Sequence, residues 1–174
     1  MKNFLLHNFY EPYYLYDTIH FYNKNTRSFE LRKRATAISF SSNGEIVIAF
    51  HICNPNDEFN KKIAKYGQYG LADSDNYTVG LIPKIKFIIE KVKLNLDLAK
   101  SGQDMSFQNT YYFSSIDDFN NKVMFLASYA TINLSSEATF LNVADINADY
   151  YFHRTYVTSK FYKFFRKLEE KNND

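Results

Sequence analysis

At 174 residues, with 45% apolar and 23% charged side chains, the chain can bury one sizeable core and is too hydrophobic for a disordered class. A formal net charge of +2 excludes the strongly basic type of nucleic-acid binder, and a single cysteine, Cys53, excludes an intramolecular disulfide scaffold. Residues 1–174 read as a single α+β domain of a soluble, cytoplasmic protein. His7 and Asn8 stop the apolar start at Met1–Leu6 before it makes a signal-peptide core, and no apolar run approaches the roughly 20 residues of a membrane span. Fifteen Tyr and seventeen Phe without Trp match the codon bias of an AT-rich genome, so composition alone gives the aromatics no function.

In chain order, Tyr13–Tyr22 predicts a strand, Asn23–Thr26 a loop and Ser28–Ser41 a second strand. Asn43-Gly44 predicts a two-residue type I′ turn, in which both central residues take positive φ. That turn pairs Phe40 with Val47, Ile38 with Ala49 and Thr36 with His51 on one face, and Ser39 with Ile48 and Ala37 with Phe50 on the other. Glu45–Ile52 is apolar on both faces and belongs inside the sheet, covered on each side. The result is a three-stranded antiparallel meander.

Asn54 as N-cap, Pro55 at the first helical position and Asp57 with Glu58 near the positive helix end predict a helix over Pro55–Tyr66. Phe59, Ile63 and Tyr66 share one face of it, Lys61, Lys62 and Lys65 take the others, and Gly67 and Gly70 offer exits. Asp73–Asn76 reads as a loop. Ile85, Ile88, Ile89, Val92, Leu96 and Ala99 keep helical spacing from Leu81 to Ser101-Gly102. Thr110–Phe113 predicts a short strand, and Ser115 with Asp118 caps a helix whose face is Phe119, Val123, Leu126, Ala127 and Ala130. Leu134–Asp149 is ambiguous, with a short helix beginning at Ser135 or Ser136 as one reading, and Tyr150–Val157 reads as a strand. In Thr158–Lys171, Phe161, Phe164, Phe165 and Leu168 make an apolar stripe beside a basic one of Lys160, Lys163, Lys167 and Lys171. The expected fold is α+β: an antiparallel sheet with an N-terminal β-meander, covered by three or more helices.

The five glycines are scattered and form no phosphate-binding loop, which disfavours a nucleotide-driven enzyme, and no cofactor is expected. His51 and Cys53 are the only close pair of soft ligands, without the second pair that zinc requires, so no metal site is expected. The carboxylate pairs Asp73/Asp75, Asp117/Asp118 and Asp145/Asp149 sit where solvated loops and helix starts supply them. A metal-dependent nuclease built on Glu45 with distant carboxylates stays open as an alternative. Basic clusters are the stronger lead. Arg27, Arg32, Lys33 and Arg34 lie in the long strand and Lys61, Lys62 and Lys65 on the helix after it, where Tyr14, Tyr16 and Tyr66 would stack bases if the surfaces adjoin. Charged faces also serve solubility alone.

From Cys53-Asn54-Pro55-Asn56-Asp57-Glu58-Phe59-Asn60-Lys61-Lys62 the chain resembles a stretch in small bacteriophage-encoded proteins, where a Cys-x-Pro-x-Asp-x-Phe-x-Lys-Lys pattern follows a hydrophobic strand and opens a helix. Ala64-Lys65 stands where that pattern continues Gly-Arg, and the match covers about a tenth of the chain. The resemblance implies an origin in a phage or mobile element and carries no activity. The expected function is a non-enzymatic accessory protein that binds a host protein or protein–nucleic-acid complex, or nucleic acid itself. An inhibitor of a bacterial defence system is one concrete form, and a small virion or assembly component is an alternative. The expected contact residues are Arg32, Arg34, Lys61, Lys62, Lys65, Tyr66 and Tyr69.

Overall fold

The computed structural model describes residues 3–23, 25–53, 58–67, 80–96, 110–127 and 143–173. The elements in order are β1 (Phe4–Leu6), β2 (Phe9–Tyr10), β3 (Tyr13–Asn23), β4 (Ser28–Phe40), β5 (Ile46–Ile52), α1 (Lys61–Tyr66), α2 (Leu81–Leu94), β6 (Thr110–Phe113), α3 (Ile116–Ala127) and α4 (Val143–Asn172). The fold is α+β: a four-stranded antiparallel sheet in the order β3-β4-β5-β6 and a separate β1-β2 ribbon. Contacts group the chain into two compact units. One comprises Lys2–Ile19 and Leu31–Ser114; the other comprises Met1, His20–Glu30 and Ser115–Asp174.

In the first unit the expected meander forms, and β5 is interior, flanked by β4 and β6. Its register is one residue away from the expected one. Phe40 pairs with Ile46, Ile38 with Ile48 and Thr36 with Phe50, while Ser39 meets Val47, Ala37 meets Ala49 and Ala35 meets His51. The reason lies in the turn. Only Gly44 takes a positive φ (87°), and the Ser41 N–H donates to the Glu45 carbonyl at 3.0 Å, which closes a three-residue loop instead of a type I′ pair. Such a loop ends in a left-handed residue that forms a bulge and adds one position to the connection. Ser41 Oγ locks it by accepting from the Asn43 and Glu45 N–H groups. A true type I′ signature occurs earlier, at His7 (φ 49°) and Asn8 (φ 67°), the turn of the β1-β2 ribbon.

This register sorts side chains by size. One face of the sheet carries Ala35, Ala37, Val47 and Ala49, and α2 packs there through Leu81, Ile85, Ile88, Ile89 and Val92. Small residues let a helix backbone approach the sheet. The opposite face carries Ile38, Phe40, Ile46, Ile48 and Phe50, with Tyr111 and Phe113 from β6, and these too are buried.

Helix α1 begins at Lys61 and not at Pro55; Glu58–Asn60 is non-helical, and Asn54–Asp57 lie outside the described residues. Asn60 is the cap, its side-chain oxygen accepting from the N–H groups of Lys62 (2.9 Å) and Ile63 (3.3 Å). Asn60→Ala is expected to cost about 1 kcal/mol, measured by urea denaturation. The buried residue of α1 is Ala64, whereas Ile63 and Tyr66, expected on the inner face, are exposed. Gly67 ends α1, donating to the Ile63 carbonyl. Gly80, at the N-cap of α2, lies against it: a Cβ there would sit 2.5 Å from the Gly67 nitrogen and 2.5 Å from the Tyr66 carbonyl carbon. Helix α2 stops at Leu94 and not at Ser101; Leu96 is exposed and Ala99 lies outside the described residues.

In the second unit Ser115 caps α3 as expected, its hydroxyl accepting from the Asp118 N–H, and α3 packs on α4. Tyr150–Val157, expected as a strand, belongs to the 30-residue helix α4. Val157, Phe161 and Phe164 are buried at i, i+4 and i+7, so one helical stripe runs across the expected boundary and outweighs the strand preference of Tyr and Val.

Candidate functional site

Two tyrosines of β3 meet two lysines of α1. Tyr14 and Tyr16 are two apart on the strand and so share a face, at a separation of about 6.6 Å. Lys61 and Lys65 are four apart on the helix, a rise of about 6 Å. The repeats match. Lys61 Nζ lies 4.6 Å from the ring centroid of Tyr16, and Lys65 Nζ lies 4.1 Å from that of Tyr14. Phe59, just before the cap, meets Tyr16 edge-on at 6.0 Å. Burial, and then the neighbouring Tyr66, pushes both tyrosine hydroxyls above their ordinary range, so both rings stay neutral and present their faces to the ammonium groups. The expected adjacency of basic and aromatic groups is therefore present, but with the rings of Tyr14 and Tyr16 occupied by cations where base stacking was expected.

What α1 turns outward is Lys61, Lys62, Ile63 (41% exposed) and Tyr66 (48% exposed). An aliphatic and an aromatic side chain thus stand among lysines on one short helix. Tyr69 lies outside the described residues. Arg32 is half-buried and Lys33 exposed on β4. Arg34 is only 4% exposed: its Nε donates to Asp17 Oδ1 at 2.9 Å, its Nη2 to Oδ2, and its guanidinium carbon stands 5.3 Å from the Phe50 ring centroid. It braces β3 against β4 from inside, and a partner's phosphate would have no route to it.

One further polar group escaped the sequence reading. Lys84, within the apolar face of α2, is 9% exposed and donates to the Phe50 carbonyl at 3.3 Å, one residue beyond the last β5-β6 pair, Ala49 with Thr110. Burial lowers its pKa; burial and then the Lys84 charge lower that of His51. The signal was a lysine at a position where Leu81, Ile85 and Ile88 mark an inward face. Glu45 lines a half-open cleft with His7, Asn8, Asn43, Ile89 and Lys93. Its carboxylate accepts from Ser41 Oγ (3.2 Å) and Tyr112 OH (2.7 Å), and it is the one acidic group among the described residues lining that cleft. Among the described residues no three His, Cys, Asp or Glu side chains converge into a metal-binding set.

No family model, no curated protein and no solved structure matches the chain. Among the described residues, no helix is long and apolar enough to cross a membrane.

Proposed function

We propose that this is a non-enzymatic binding protein whose α1 surface engages the protein component of a nucleic-acid-handling complex. The observation that carries this reading is the outward composition of α1: Ile63 and Tyr66 exposed among Lys61, Lys62 and Lys65, with Ala64 its one buried residue. Aromatic and aliphatic anchors ringed by charge are what a protein interface concentrates its energy on. The occupied rings of Tyr14 and Tyr16 weigh against bare nucleic acid as the partner of this surface. Arg34 serves in this reading as support for β3. The resemblance around Cys53–Lys65 favours a bacterial host and a phage or mobile-element origin, with inhibition of a defence system as the concrete form.

The test is affinity capture from a nuclease-treated bacterial lysate, followed by titration of the purified partner. Lys61→Glu with Lys62→Glu, and separately Tyr66→Ala, are each expected to weaken the complex by about tenfold or more. Unchanged affinity in both variants rejects the reading. Capture that disappears with nuclease treatment rejects the protein partner.

A further inference from the structure

From Arg154 onward the side chains of α4 sort into arcs. Val157, Phe161 and Phe164 are buried. Beside them Lys160, Lys163, Lys167 and Lys171 recur at steps of three or four, which keeps them within about 80° of one another along about 16 Å of axis. Lys163, Lys167 and Lys171 are exposed, while Lys160 is half-buried with its ammonium 5.6 Å from the Tyr156 ring centroid. Arg166 and Tyr162 (56% exposed) widen the row on its outer side. Among the described residues none of Lys163, Arg166 and Lys167 makes an ion pair. Residues 154–172 hold six cations and two carboxylates, Glu169 and Glu170, an excess of four in a chain whose net charge is only +2. Six of the 21 lysines and arginines of the chain lie in these residues.

We propose that this lysine row is a docking surface for a nucleic-acid backbone. One cation per helical turn suits a partner whose negative charge also repeats at short, regular intervals, and each phosphate neutralised releases condensed counterions. An anionic membrane is the poorer fit, because surface binding by an amphipathic helix buries its apolar face in lipid, and the apolar face of α4 is already buried in the protein. The inference does not rest on the reading given for α1.

The experiment titrates the full-length protein with labelled single-stranded and duplex DNA of about two helical turns across roughly 50–200 mM salt. Wild type is expected to bind with a steep inverse salt dependence. Lys163→Gln with Lys167→Gln is expected to lose about tenfold in affinity at low salt and to shallow the slope by about two, one for each phosphate contact removed. Lys86→Gln with Lys91→Gln, an equal loss of charge on the exposed side of α2, is expected to bind as wild type does. A preference between the two DNA arms identifies which backbone the row tracks. The inference is overturned if neither DNA binds at low salt, if the α2 control loses as much as the α4 variant, or if polyglutamate competes as well as DNA.

Discussion

Asp17→Ala is expected to lower stability by about 3 kcal/mol, the low end of what breaking a buried ion pair costs, since the side chain of Asp17 keeps 20% exposure while that of Arg34 keeps 5%. The loss comes less from the missing attraction than from the guanidinium left behind. Arg34 lies inside the sheet against Phe50, and Asp17→Ala takes away the carboxylate that both its Nε and its Nη2 bind there. Arg34→Met is expected to cost less than Asp17→Ala, because the thioether stem fills the space against Phe50 and Asp17 can turn to water. The double variant should recover part of the loss, with a coupling energy of about 1.5–3 kcal/mol. Urea denaturation of the four proteins measures the cycle. Additive effects would mean that the two groups are independently solvated and that the brace is only geometric.

The second large effect has the opposite sign. Lys84→Met is expected to raise stability at neutral pH by about 1–2 kcal/mol: removing a buried ammonium gains more than the Phe50 carbonyl loses with its donor. The gain is pH-dependent. Unfolded, the lysine holds its proton up to about 10.5, whereas burial makes the folded lysine release it at lower pH. Between those values the unfolded state binds more protons, so wild-type stability climbs with pH and the penalty vanishes above 10.5. The gap between variant and wild type is therefore expected to close as pH rises from 7 toward 10.5. Tyr13, Tyr14 and Tyr16, raised by burial, titrate in both proteins and cancel in the difference. His51 offers a second readout: with the Lys84 charge gone, its NMR-titrated pKa should move up toward 6.5. A gap that stays constant with pH would show that the ammonium carries no burial penalty.

The parts of this fold that sequence made legible are those where one local rule acts without a competitor. Ser115 before an apolar period gives α3, the doubly apolar Ile46–Ile52 gives an interior strand, and Ile85, Ile88, Ile89 and Val92 give the buried stripe of α2. The hairpin register was not legible, because both faces of β5 are apolar and a one-residue slip sacrifices no hydrophobic burial. What distinguishes the faces is volume, with Ala and Val under α2 and Phe and Ile opposite. Tyr150–Val157 misled for the converse reason: its aromatic and β-branched residues carry strand preference, while the helical spacing appears only when Val157 is read together with Phe161 and Phe164. At the candidate site the tyrosine alternation and the helical lysines could be seen separately. Their pairing could not, since more than forty residues separate Tyr16 from Lys61, and Arg34 gave no local sign that Asp17 would draw it inside.

The Gly67–Gly80 contact has a bearing on how this chain can change. It sets the exit of α1 and the entry of α2 backbone to backbone, so that a side chain at Gly80 would force the two helix ends apart. The two helices can therefore keep this close approach only while both positions stay free of side chains, since Gly67 also holds a positive φ.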